Sequence, residues 1–473
     1  MSRMTLFWVC VYTLSAYALF RAVSRRHGVE ATLAWVFAIV ALPVVGAVSY
    51  LLLSSPGIRR TTRRKRISAR TLRKTLSRPG HAAPGLSVDA LEGSLLQLAV
   101  SLTGLMPTAG NRVELLADNK DAVAKMRAAV TSARHSVWSE YYIIQNDETG
   151  HHFLEDLTER ARAGVEVRLL YDALGSMGLD AARLKALKSA GGKVEAFLPI
   201  NPLRRRWSVH LRNHRKMIVV DGKIGFTGGM NVGDEYSGSS RRKGAQVFHD
   251  THLMLRGPAV GGLAQTFVED WLFATDEQLP PPPHPSAEAD DASIVAVVPS
   301  GPDQEHNANA LVFFAGIASA RNKVFLTSPY FIPDQAIFQA LISAAMRGVD
   351  VRVLVPRKGD IALVGAAARS YFLSLVRGGV RVFEYLPSML HAKTLMVDDR
   401  WGIVGSANLD IRSFRLNFEL GALVLDPVFA RELEARFHHD LAASAEVTKE
   451  ALGSRGRLVK LKDSFARLLS PLM

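Results

Sequence analysis

The chain predicts an α/β fold of two similar halves that close into one pseudo-two-fold body, preceded by a two-helix transmembrane hairpin. Three observations predict it. The pattern H-x-K-x4-D occurs twice, as His214, Lys216 and Asp221 and as His391, Lys393 and Asp398, each copy followed at the same offset by an asparagine, Asn231 or Asn408. Strand-like and helical stretches recur in the same order around each copy, which points to an internal duplication. Two uncharged apolar segments open the chain.

The apolar segments run from Met4 to Phe20 and from Ala31 to Leu53. The second is long enough to span a bilayer and the first is near the lower limit. Arg3 and Arg21 bracket the first segment like a short span, and a second apolar run follows at once beyond Arg25 and Arg26, so a hairpin over residues 1–55 is favoured above a cleaved signal peptide. Beyond Leu53 lie Arg59, Arg60, Arg63, Arg64, Lys65, Arg66, Arg70 and Arg73, outnumbering the basic residues of the loop. This asymmetry predicts a multi-pass membrane protein whose hairpin leaves both termini, and the catalytic body, in the cytoplasm. The basic run also suits contact with anionic lipid.

Residues 56–111 read as a basic flank and a weakly patterned connector without assigned chemistry. The first half, 112–278, carries the strand Val137–Ile144, a helix ending at Ala163-Gly164 and the strand Val165–Tyr171. The second half, 294–447, repeats them as Val324–Tyr330, a helix ending at Arg347-Gly348 and Val349–Val355. A third match sets Gly191–Pro199 against Gly378–Pro387. Residues 279–293, with Pro280 to Pro283 and Pro285, read as the linker between the halves. Over 448–473, Leu458, Leu461, Phe465, Leu468 and Leu469 form one helical face flanked by Lys460, Lys462 and Arg467. Two readings stand for this tail: an interfacial anchor, or a terminal helix packed on the body.

The 473 residues carry a formal net charge of +14 and a pI near 9.9, which favours an anionic partner. Cys10 is the sole cysteine, so intramolecular disulfides and cysteine-based zinc sites are excluded.

On a strand, residues two apart share a face, so each His and Lys of the pattern can reach one phosphate. The Asp, five positions beyond Lys and followed by Gly222 or Asp399, ends the strand at a turn. It completes the catalytic pattern, but its expected role is structural or electrostatic rather than proton transfer. Asn231 and Asn408 follow returning strands that end in small residues, and their amides, with Ser406 in the second copy, are expected to donate to phosphoryl oxygens. A neutral histidine attacks phosphorus only if an acceptor fixes the proton on its other nitrogen. Asp250 and Glu419, each opening an apolar strand-like run, are the expected orienting carboxylates.

The paired H-x-K-x4-D patterns resemble the phospholipase D superfamily. Within it, Gly228–Tyr236 and Gly405–Glu419 are similar to strings of the bacterial cardiolipin synthases, as is the N-terminal hairpin with Trp35, Pro43 and Gly46. The resemblance covers essentially the whole chain. It implies two phospholipase D-like α/β sandwich repeats around a single site, with neither metal nor cofactor. It further implies that one histidine, expected to be His214, attacks the phosphodiester of phosphatidylglycerol to form a phosphatidyl-enzyme. The other, His391, protonates departing glycerol and then activates a hydroxyl of a second phosphatidylglycerol, giving cardiolipin. Lys216, Lys393, Asn231 and Asn408 would neutralise the equatorial oxygens.

The expected partners are phosphatidylglycerol and anionic membrane lipid, not nucleic acid. The alternatives are a membrane-bound hydrolase using water and a phosphatidyltransferase with another donor or acceptor, such as phosphatidylethanolamine. A nuclease would have no need of a membrane hairpin, and an inactive scaffold would have no need of six intact motif positions. Arg204, Arg205, Arg206, Arg212 and Arg215 around Trp207 are read as steering anionic headgroups to the site; His210 receives no role.

Overall fold

The computed structural model describes residues 2–24, 29–53, 61–69, 89–201, 206–208, 210–238, 247–280, 285–287 and 293–468. They divide into two compact units, Met1–Lys65 and Arg66–Met473.

In the first unit, one helix among the described residues, Arg3–Ser24, is long and apolar enough to cross a membrane. The second apolar run, expected to form a single span, is instead two helices, Val29–Ala41 and Pro43–Leu53. Pro43 lacks an N–H and restricts the residue before it, so the break falls at Leu42. The two pieces bend sharply against each other: a Cβ on Gly46 would stand 2.2 Å from the carbonyl oxygen of Ala38. With 13 and 11 residues, neither reaches across a hydrocarbon core of about 30 Å. Ala18, Ala22, Ile39, Ala47 and Tyr50 form the small buried centre of this unit, with Trp35 edge-on to Tyr50 at 5.4 Å.

The second unit holds the two repeats. The first contributes strands β1 (Thr108–Leu116), β2 (Ser136–Tyr141), β3 (Glu166–Asp172), β4 (Lys193–Phe197), β5 (Arg212–Asn213), β6 (Lys216–Val220), β7 (Ile224–Gly228), β8 (Phe248–His249) and β9 (His252–Arg256). The second contributes β10 (Ser293–Ser300), β11 (Lys323–Thr327), β12 (Asp350–Pro356), β13 (Arg381–Tyr385), β14 (Met389–Leu390), β15 (Thr394–Val397), β16 (Trp401–Gly405), β17 (Asn417–Leu425) and β18 (Ser444–Glu446).

In each repeat three strands run parallel, β2-β3-β4 and β11-β12-β13, joined by helical crossovers. The motif strand, β6 or β15, pairs antiparallel with the first of them and continues into an antiparallel set. The two half-sheets join edge to edge where β1 pairs antiparallel with β10, so a single sheet runs from β4 through the centre to β18. Apolar residues fill both faces of its central strands, as helix-covered sheets require, and every residue of β17 is buried. Leu169, Ile218 and Phe226 belong to the first repeat's core, and Leu326, Val353 and Leu395 to the second's.

The expected domain limits shift in two places. β1 begins at Thr108, inside the stretch read as connector. Helix Ala90–Thr103, also within it, buries Leu95, Leu96 and Ala99 in the core of the second repeat, and Glu92 pairs with Arg400.

Candidate active site

The short strands place the histidines. β5 pairs in parallel with the start of β17, and β14 pairs in parallel with β8. Each histidine, next in line, then donates its backbone N–H across the seam: His214 to the Phe418 carbonyl at 2.8 Å, His391 to that of His249 at 2.7 Å. The residue after each acceptor is a buried carboxylate. His214 Nδ1 lies 3.0 and 2.9 Å from the two oxygens of Glu419, and His391 Nδ1 lies 2.6 Å from Asp250 Oδ2. Both anticipated carboxylates are therefore at the site, but each serves the histidine of the opposite repeat.

A carboxylate only accepts, so it holds the proton on Nδ1 and leaves Nε2 as the basic nitrogen. Burial pushes both imidazoles down, His214 to about 4, with Glu419 opposing, and His391 to about 3, with Lys393 adding to the effect. Burial alone would raise the carboxylates, but His214 holds Glu419 low, and Lys393 and His391 hold Asp250 low. The site at neutral pH thus has two neutral histidines, each on an anion.

Lys216 and Lys393 are both buried; Lys393 adds to the lowering of Lys216, and both lysines add to that of His214 and His391. Burial pulls Lys216 well below its ordinary value and Lys393 to about 8, with Asp250 and Glu419 opposing. Two lysines buried in one site are suited to hold an anion. They are not placed alike. Lys216 Nζ donates to the His214 carbonyl at 2.8 Å and lies 5.4 Å from the centre of the Tyr142 ring. Lys393 Nζ lies against its own histidine, 2.7 Å from Nδ1 and 3.3 Å from Nε2. His214 Nε2 has no hydrogen-bond partner among the described residues.

The remaining anticipated residues separate. Ser406 donates to Glu419 and accepts from the Leu420 N–H, so it steadies the carboxylate instead of facing phosphate. At the matching position, Gly229, a Cβ would lie 2.0 Å from Asp250, which takes that space itself. Asn231 is occupied by the fold: its Oδ1 accepts from Ile143 N–H at 3.3 Å and its Nδ2 donates to Tyr236 at 2.8 Å. Asn408 is buried with its Oδ1 unpartnered among the described residues.

Asp221 and Asp398 are not with the other motif residues. Each sits at the far end of its strand with left-handed φ, 52° and 54°. Asp221 accepts the backbone N–H groups of Arg134, His135 and Ser136, and Asp398 those of Arg321, Asn322 and Lys323. They pin the start of β2 and β11 and hold no position from which to act on phosphate, so their grouping with the catalytic set is corrected.

Three of the five arginines read as steering headgroups are engaged by the fold instead. Arg212 is buried on Asp172, and Arg215 is buried on Asp270, the Glu419 carbonyl and the Ser300 carbonyl. Arg206 bonds Ala274 and Asp276. Arg204 and Arg205 lie outside the described residues. Missed from the sequence were the aromatic walls: Tyr142 edge-on to His214 at 4.8 Å, and Tyr236 and Phe248 beside His391 at 5.5 and 5.2 Å. Tyr142 directly follows β2, and no spacing rule marks it.

Comparison with known proteins agrees with this architecture. The family described as "Cardiolipin synthase, PLD-like domain" matches residues 126–254 and again 313–441, and "Phospholipase_D-nuclease N-terminal" matches 13–54. Cardiolipin synthase A of Pseudomonas putida is 36% identical over 98% of this chain and 97% of its own length. That of Pseudomonas aeruginosa is 37% identical over 98% and 95%. Among solved structures, phosphatidylserine synthase of Haemophilus influenzae superposes with a TM-score of 0.62 at 16% identity, covering 80% of this chain and all of that one, a likeness of fold.

Proposed function

The chain belongs to the cardiolipin synthase family of phospholipase D-like proteins, and we propose that it moves a phosphatidyl group from one phosphatidylglycerol to another, releasing glycerol. The observation that carries this reading is the crossed pairing of His214 with Glu419 and His391 with Asp250, which makes two repeats into one two-histidine site.

The donor's phosphodiester enters as an anion between Lys216 and Lys393. It favours the ammonium form of both buried lysines and raises His391 toward its protonated form. His214 Nε2 attacks phosphorus, forming a P–N bond as the P–O bond to the headgroup glycerol breaks. His391 gives its proton to the departing oxygen. A hydroxyl of a second phosphatidylglycerol then returns a proton to His391 and attacks phosphorus, and the P–N bond breaks. Nε2 of His214, without a hydrogen-bond partner among the described residues, against the lysine-contacted ring of His391, favours His214 as nucleophile. The lysines stabilise charge on the equatorial oxygens, an effect of about 3 kcal/mol for one well-placed donor, and Asn408 donates its side-chain N–H beside them.

The substrate reading rests on the family and on the apolar N-terminal unit. The excess of basic residues beyond Leu53 supports an inner-membrane protein with its body in the cytoplasm. Purified protein given phosphatidylglycerol should yield cardiolipin and glycerol by mass spectrometry. Phosphatidic acid without cardiolipin would make it a hydrolase. Labelling of engineered surface cysteines in inverted versus right-side-out vesicles tests the orientation, and reaction only in right-side-out vesicles would reverse it.

A further inference from the structure

The C-terminal helix, Arg457–Leu468, packs on helix Ala362–Arg377 with an unexpected face. Its buried residues are Asp463, ion-paired with Arg455 at 2.6 Å, and Ala466, seated with Ile332, Val364 and Ala367. Leu458, Leu461, Phe465 and Leu468 point the other way, between 61% and 81% exposed. A helix docked only for stability would turn this face inward, because covering each large apolar side chain is worth about 1.5–3 kcal/mol.

The display has charge and position. Arg457 and Lys462 are exposed on either side of the apolar face, the arrangement that suits an anionic lipid surface. Helix Ala362–Arg377 follows β12, whose carboxyl end lies beside the site: Tyr330, packed on the same cluster as Ala466, bonds Asp360 at 2.7 Å, and the charge of Asp360 reaches Lys393. Ile361 and Leu363, next to Asp360, are exposed apolar residues on this same rim.

We propose that the C-terminal helix is a membrane-docking surface that lays Leu458, Leu461, Phe465 and Leu468 into the headgroup and acyl boundary of an anionic phospholipid leaflet and sets the rim of the site against its lipid substrate. The docking stands on the exposed face and its flanking charge. Its consequence for turnover rests on the transferase reading above.

The test uses the full-length chain with Cys10→Ser and Phe465→Cys, carrying an environment-sensitive fluorophore at position 465, in vesicles of phosphatidylcholine with or without phosphatidylglycerol. Docking predicts a blue-shifted emission, quenched by lipids spin-labelled near the headgroup, in the phosphatidylglycerol vesicles, and loss of both signals on adding Leu461→Glu. Water-like emission in both vesicle types overturns the proposal, as does a blue shift that Leu461→Glu leaves unchanged. Leu461→Glu should also lower transfer in vesicles about tenfold and leave transfer on monomeric short-chain phosphatidylglycerol within about twofold. An equal loss on both substrates removes the link to turnover. A chain that docks but makes no cardiolipin refutes the transferase reading and leaves docking in place.

Discussion

His214 and Glu419 belong to opposite repeats, yet the imidazole Nδ1 lies 2.9 Å from the carboxylate, and the backbone of His214 is held by the residue just before Glu419. The same exchange joins His391 to Asp250. Neither repeat alone contains an oriented histidine, so duplication here produces one site and not two.

Glu419→Gln should keep the shape and lose the charge that fixes the His214 proton on Nδ1. An amide also accepts through only one atom, so the wrong tautomer becomes populated. We expect turnover to fall at least ~100-fold with little change in KM, and Ser406→Ala, which removes one donor to Glu419, to cost about tenfold. Steady-state rates on phosphatidylglycerol vesicles measure both.

Asp221→Ala and Asp398→Ala should act on stability. Each leaves three backbone N–H groups at a strand entry without their acceptor, a loss of about 1–3 kcal/mol. Urea unfolding in detergent should show it, while activity per folded molecule stays near wild type. Burial would raise the Asp221 pKa, but the Ser136, Arg134 and His135 N–H groups hold it low. A depressed carboxylate stabilises above its unfolded pKa, so this contribution should fade as pH falls below the ordinary carboxylate range.

Two imidazoles buried to about 4 and about 3 bind fewer protons folded than unfolded between those values and about 6.5. Stability therefore rises with pH across that window, and the melting temperature should drop between pH 7 and 5. His214→Gln should flatten the slope. Lys393, at about 8, loses its charge as pH rises, so kcat/KM should fall on an alkaline limb near there if phosphate binding requires the ammonium form.

Arg215→Met should destabilise by about 3–5 kcal/mol, because Asp270 stays buried without the guanidinium that pairs with it. Were Arg215 a steering residue, the variant would fold normally and change only KM and its salt dependence. Thermal unfolding separates the two.

The repeats were legible because the doubled motif and its strands leave local signals: alternation, a Gly after each helix, His and Lys two apart. Asp250 and Glu419 were legible for the same reason, each opening an apolar strand. Their crossing was not, since it depends on β5 reaching β17 and β14 reaching β8 through contacts remote in sequence. Arg215 beside Trp207 reads as a basic loop until helix Ala259–Thr275 brings Asp270 over it. In the apolar run before Leu53, Pro43 and Gly46 were visible, but hydropathy carries no sign of a chain bent back upon itself.

The central claim is one composite site with His214 as its nucleophile. His391→Ala lacks the acid for the first step and the base for the second, so a slowly formed phosphatidyl-enzyme should persist. Alkaline quench after incubation with phosphatidylglycerol, followed by peptide mass spectrometry, should find the phosphatidyl adduct on His214. An adduct on His391 in the reciprocal His214→Ala protein, with none on His214 in His391→Ala, would contradict the account.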